Sequence, residues 1–152
     1  MTQATAFRTG HIGLNVTDLD RSSQFYQQIF GFQQIKESRE PGREFALLAN
    51  GDTLVLTLWK QSEGRFSSST PGLHHLSFQV DTIEDVRLAE GRVRAGGARL
   101  YHDGIVPHAE GAQSGGIFFE DPDGTRLEIF TASGADERSA PNEGGAPTCG
   151  FF

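Results

Sequence analysis

Apolar and polar positions alternate strictly over residues 11–16, with Ile12, Leu14 and Val16 on one side and His11, Gly13 and Asn15 on the other. The same alternation returns at 75–80, where Leu76, Phe78 and Val80 oppose His75, Ser77 and Gln79. A period of two predicts a strand with one apolar face. The spacing then changes. Leu19, Ser22, Tyr26, Ile29 and Phe30 recur at helical intervals, as do Ile83, Val86, Ala89 and Val93. Thr17 or Asp18 can cap the first helix and Gly31 can stop it; Asp81 or Thr82 and Gly96–Gly97 do the same for the second. Three more strands are expected after each helix, at about 32–38, 44–49 and 53–59, then about 98–102, 115–120 and 125–131. The turns "NGD" (50–52) and "DPDG" (121–124) carry the Asn/Asp-Gly chemistry of tight hairpins.

The chain is therefore written twice. "GHIGLNVTDLDRSSQFY" (10–26) lies over "HHLSFQVDTIEDVRLAE" (74–90), pairing His11 with His75 at an offset of 64 residues. The expected fold is α+β: two tandem βαβββ modules forming a cupped mixed β-sheet with the helices outside. One such domain is expected over 1–132, with module one at 8–60, the Ser- and Gly-rich linker "QSEGRFSSSTPG" at 61–72 and module two at 73–132. Residues 133–152 turn to Gly, Ala, Ser, Pro and charge, which predicts a flexible tail. The alternative is that Phe151 and Phe152 cap a pocket and bring Cys149 near the site.

Composition narrows the choice of partner. A formal net charge of −7 over 152 residues, with no basic stripe, argues against a nucleic-acid partner. No apolar run approaches the roughly 20 residues that span a bilayer. "MTQATAFRTG" has no secretory apolar region, and the single Cys149 excludes an intrachain disulfide, so a cytoplasmic protein is expected. The charge does not forbid a homodimer.

The polar faces carry the candidate chemistry. His11 and His75 hold equivalent places at strand starts, and His74 lies before the strand or on its helix side. In "TRLEIFT", Leu127 and Ile129 belong to the helix side, which turns Arg126, Glu128 and Phe130 to the cupped face. A carboxylate amid apolar strand residues is costly to bury unless paired or metal-bound. One histidine at a strand start is ordinary. Two at equivalent positions, with a glutamate in the returning strand, form the set that binds non-haem Fe(II), with Mn(II), Ni(II), Co(II) or Zn(II) as alternatives.

"GHIGLNVTDLDRSSQFYQQIFGF", "HHLSFQVDTIEDV" and "GGIFFEDPDGTRLEIF" together resemble the vicinal oxygen chelate superfamily: glyoxalases, extradiol dioxygenases, fosfomycin-resistance enzymes and bleomycin-binding proteins. The resemblance covers roughly residues 8–131 and implies paired βαβββ modules with a metal at His11, His75 and Glu128. Glyoxalase-like members supply a fourth ligand from the strand that here reads "DTLVLTLWK". Val55 and Thr57 fill that face, which argues against lactoylglutathione lyase activity. Extradiol dioxygenases place an acid–base histidine in a loop about twenty residues before the glutamate, and His108 stands there; the tyrosine they place ten residues before it is Phe118. Fosfomycin-type enzymes must hold a phosphonate, yet module two has no lysine beside Arg126. Phe45, Thr57, Trp59, Phe118, Arg126 and Phe130 are the expected substrate-facing residues, suiting a small, oxygenated, flat molecule. The expectation is a metal-dependent, extradiol-dioxygenase-like enzyme favouring Fe(II). Lactoylglutathione lyase-like, fosfomycin-type and non-catalytic drug-binding proteins are the alternatives.

Overall fold

In the computed structural model, which describes residues 3–142 and 146–152, the repeated pattern becomes a repeated set of elements. The first set is β1 (Ile12–Asn15), α1 (Leu19–Phe30), β2 (Gln33–Ser38), β3 (Phe45–Asn50) and β4 (Thr53–Trp59). The second is β5 (Leu76–Gln79), α2 (Ile83–Ala95), β6 (Val106–Pro107), β7 (Gly115–Glu120) and β8 (Arg126–Thr131). The class is α+β, with two βαβββ modules as expected. The strands form two four-stranded mixed sheets, of order β1-β4-β3-β2 and β5-β8-β7-β6. In each, the first strand runs parallel to the last and the remaining pairs are antiparallel. By contacts the chain divides into Met1–Gln27 with Gly31–Glu63, and Gln28–Phe30 with Gly64–Phe152. Among the described residues, no helix is long and apolar enough to cross a membrane.

The helix ends follow their capping residues. The Asp18 carboxylate accepts from Arg21 N at 3.0 Å, and Gly31 ends α1 with φ 71°, a left-handed conformation that glycine adopts without a Cβ penalty. Thr82 and Asp85 form a reciprocal capping box at α2. In the second unit, Leu76, Val86, Ala89, Val93, Ile117, Phe119, Leu127 and Ile129 are all buried between α2 and the sheet. Each large apolar side chain so buried contributes roughly 1.5–3 kcal/mol.

One strand forms differently from the expectation. Residues 98–102 make only an isolated bridge at Leu100 to Phe119, with Tyr101 N donating to Phe118 O at 2.8 Å. A turn follows, with Gly104 at φ 91° and its N–H on His102 O. The strand beside β7 is therefore β6, which the alternation around 98–102 does not announce. Gly115 allows this, since a Cβ there would lie 2.7 Å from Pro107 Cα; one on Gly116 would instead strike the Ile129 carbonyl of β8.

Candidate metal centre

Glu128 is placed by its neighbours in β8. Leu127 and Ile129 are buried toward the helix, so the pleat sends Glu128 to the opposite face with Arg126 and Phe130. Glu128 is itself only 3% exposed. Ser77 of β5 and Phe118 of β7 flank it in register.

Three groups converge on this carboxylate within the second unit. His75, immediately before β5, brings Nε2 to 3.5 Å from Glu128 Oε2. His108 Nε2 lies 2.5 Å from the other oxygen, Oε1. The β6–β7 loop holds that ring, because His108 N donates to Ser114 O at 2.9 Å and His108 Nδ1 bonds Ser114 Oγ at 2.8 Å. Cys149 is the third: its Sγ, a ring nitrogen of His75 and a Glu128 oxygen all lie within 4.8 Å of one another. His74 Nδ1 sits 2.8 Å from His75 Nδ1, so the second ring nitrogen of His75 is occupied and Nε2 is left for the site.

Electrostatics follow from burial. Desolvation pushes the His75 imidazole below its usual range, and the Glu128 carboxylate opposes this only in part. Burial first, and then Glu128, push the Cys149 thiol up. The site therefore favours a neutral imidazole, the form that binds metals.

The donor set fits a divalent ion. At 3.5 Å, His75 and Glu128 are spaced like two ligands of one ion rather than like a strong hydrogen-bonded pair; bonds of about 2.0–2.2 Å meeting near a right angle put donors roughly 3 Å apart. His108 on the remaining oxygen matches the hydrogen bond that ligating carboxylates accept from outer groups.

The other expected residues divide between the units. His11, Thr57 and Trp59 belong to the first. His11 is exposed, just before β1, while Thr57 is 2% exposed and its hydroxyl accepts from Trp59 Nε1 at 2.9 Å. Phe45 and Trp59 pack with ring centres 5.3 Å apart. In the second unit, Phe130 packs on His108 at 5.2 Å, and Arg126 stands over the Phe152 ring at 5.4 Å. Phe118 is fully buried, its ring 5.0 Å from that of Phe152.

The tail, described over 133–142 and 146–152, makes contacts that its composition does not suggest. Thr148 is fully buried, and Phe152 packs on His75, Tyr101 and Phe118. Residues 143–145 lie outside the described residues. Ser114 and His74, which orient the two imidazoles, carry no pattern in the sequence that marks them.

A family model described as "Glyoxalase/Bleomycin resistance protein/Dioxygenase superfamily" matches residues 8–129. The chain belongs to that superfamily. Among its relatives, the trivalent organoarsenical cleaving enzyme of Bacillus sp. (strain MD1) is 28% identical over 139 residues, 91% of this chain and 80% of that protein. The catechol-2,3-dioxygenase of Bacillus subtilis (strain 168) is 29% identical over 124 residues, which is 80% of this chain but 40% of the dioxygenase. A crystal structure of a glyoxylase/bleomycin resistance protein/dioxygenase domain from Frankia sp. EAN1pec superposes with a TM-score of 0.70 at 26% identity, covering 84% of this chain and 99% of that one. The superfamily thus joins this chain to enzymes with different reactions, and the choice among them falls to the site.

Proposed function

We propose that the protein is a divalent-metal-dependent enzyme of the extradiol-dioxygenase type, acting on a small oxygenated aromatic substrate, with Fe(II) as the favoured metal. One observation carries the proposal: Glu128 meets His75 through one oxygen and His108 through the other. His75 and Glu128 would hold the ion. The ion would supply Lewis acidity, making a bound hydroxyl a better acid.

The chain's own residues account for the proton. His108 stands beside the metal-holding carboxylate, and Ser114 Oγ bonds its Nδ1, able to donate to it or accept from it. In the bond to Glu128, Nε2 carries the proton. Taking the proton of a substrate hydroxyl calls for the other tautomer, with the proton on Nδ1 donated to Ser114 Oγ and the ring released from Glu128. Nε2 is then the base and later returns the proton. Phe130 offers aromatic surface on the same side and Arg126 a positive charge, while Phe118 lies beneath the Phe152 ring. The partner is a small molecule; a homodimer and a cytoplasmic location go with this proposal.

Anaerobic reconstitution with Fe(II), Mn(II), Ni(II), Co(II) or Zn(II), followed by catechols, hemithioacetals, fosfomycin and a trivalent organoarsenical, tests it. Oxygen uptake with catechols under Fe(II) is expected. Glu128→Ala should abolish turnover, and His108→Ala should lower kcat by about 10²–10⁴. Turnover of hemithioacetals alone, or of the arsenical alone, would move the protein to a different reaction. Substoichiometric metal with unchanged ligand binding in His75→Ala would make it a binding protein.

A further inference from the structure

The last residues of the chain return to the centre just described. We propose that residues 146–152 form a strap over the second unit's metal centre, and that Cys149 is a thiolate donor to the ion held by His75 and Glu128. The proposal deepens the metal reading above and rests on it.

A segment outside the helices and sheets stays ordered only where something holds it, because ordering each residue costs about 1–2 kcal/mol of backbone entropy. Residues 146–152 are fastened on both sides of Cys149. On one side, Thr148 is fully buried: its N–H donates to His108 O at 2.8 Å and its hydroxyl to Pro107 O at 2.7 Å. On the other, the Phe152 ring lies 5.4 Å from His75, 5.2 Å from Tyr101 and 5.0 Å from Phe118, with the Arg126 guanidinium above it. Between these anchors Thr148–Gly150 makes one 3₁₀ turn, closed by Gly150 N on Pro147 O at 3.1 Å.

The turn decides where the sulfur goes. With Thr148 tied to the backbone of the same loop that carries His108, Cys149 is held within 4.8 Å of both the His75 nitrogen and the Glu128 oxygen. Imidazole, carboxylate and thiolate together suit a borderline-soft ion such as Zn(II), Co(II) or Fe(II). Phe152 also covers Phe118, so a substrate ring reaching that side chain requires the strap to lift.

Co(II) titration of the full-length, reduced protein under anaerobic conditions tests the strap without relying on turnover. A near-ultraviolet thiolate-to-cobalt charge-transfer band is expected to grow in step with binding. Cys149→Ser and a deletion of residues 147–152 should both lose the band yet still bind Co(II), weakened by roughly tenfold or more. Alkylation of Cys149 by iodoacetamide should slow when Co(II) is bound. Wild-type protein that binds Co(II) without a thiolate band, with Cys149→Ser binding equally tightly, would overturn the strap and leave the metal centre standing. Absence of Co(II) binding in both proteins would overturn the metal centre and the strap with it.

Discussion

His102 shows how a single residue can be read from its surroundings. Its ring packs edge-on against Phe118 at 5.7 Å, and Nε2 is buried with no hydrogen-bond partner among the described residues. Burial pushes the imidazole below its ordinary 6.5. The folded state then binds this proton less readily than the unfolded chain does. Its contribution to stability is complete above pH 6.5 and is lost as pH falls through the lower folded value. His102→Phe is expected to raise stability by about 1 kcal/mol, by removing an unsatisfied buried nitrogen, and to flatten the loss of stability below pH 6.5. Urea denaturation across about pH 4.5–8.5 (roughly 2 units either side of the ordinary imidazole value) checks both; an unchanged acid limb would remove His102 as its source. Glu128 could be placed from sequence because its neighbours Leu127 and Ile129 fix the pleat. His102 could not, because nothing local marks which nitrogen loses its water.

At the scale of elements, local signals and packing divide the work. The helices were legible almost to the residue, since Asp18, Thr82 and Gly31 act through bonds within a few positions. The strand expected at 98–102 was not, since pairing with β7 depends on close approach to a distant segment rather than on alternation. Gly115 is what permits that approach, and Gly116 does the same for β8 on the other side of β7. Thr82→Ala should cost about 1 kcal/mol, the usual value of a cap. Gly116→Ala should cost more, about 1–3 kcal/mol, because the Ile129 backbone in its path cannot give way like a flexible side chain. Thermal unfolding of the two variants side by side measures the order; a Gly116→Ala protein as stable as wild type would show that β7 and β8 can separate cheaply.

Across the whole molecule, metal binding and stability are linked. A ligand that binds only the folded protein stabilises it by about 2.7 kcal/mol at a free concentration of 100 Kd. For a chain of this length that corresponds to a rise in Tm of roughly 5–10 °C. Adding excess Mn(II) or Zn(II) to chelator-treated protein should show this rise, chelation should reverse it, and His75→Ala or Glu128→Ala should lack it. A Tm indifferent to metal would count against the centre. What the sequence alone determined is periodic or repeated: the strands and helices, the equivalence of His11 and His75, and the face that carries Glu128. Such features follow from side-chain geometry over a few residues, which is present in the unfolded chain. Tertiary structure alone decided that His108 closes on Glu128 and that Thr148 ties the tail beside His75. Those contacts join segments far apart along the chain, and only the closing of the loops between them brings the groups within bonding reach.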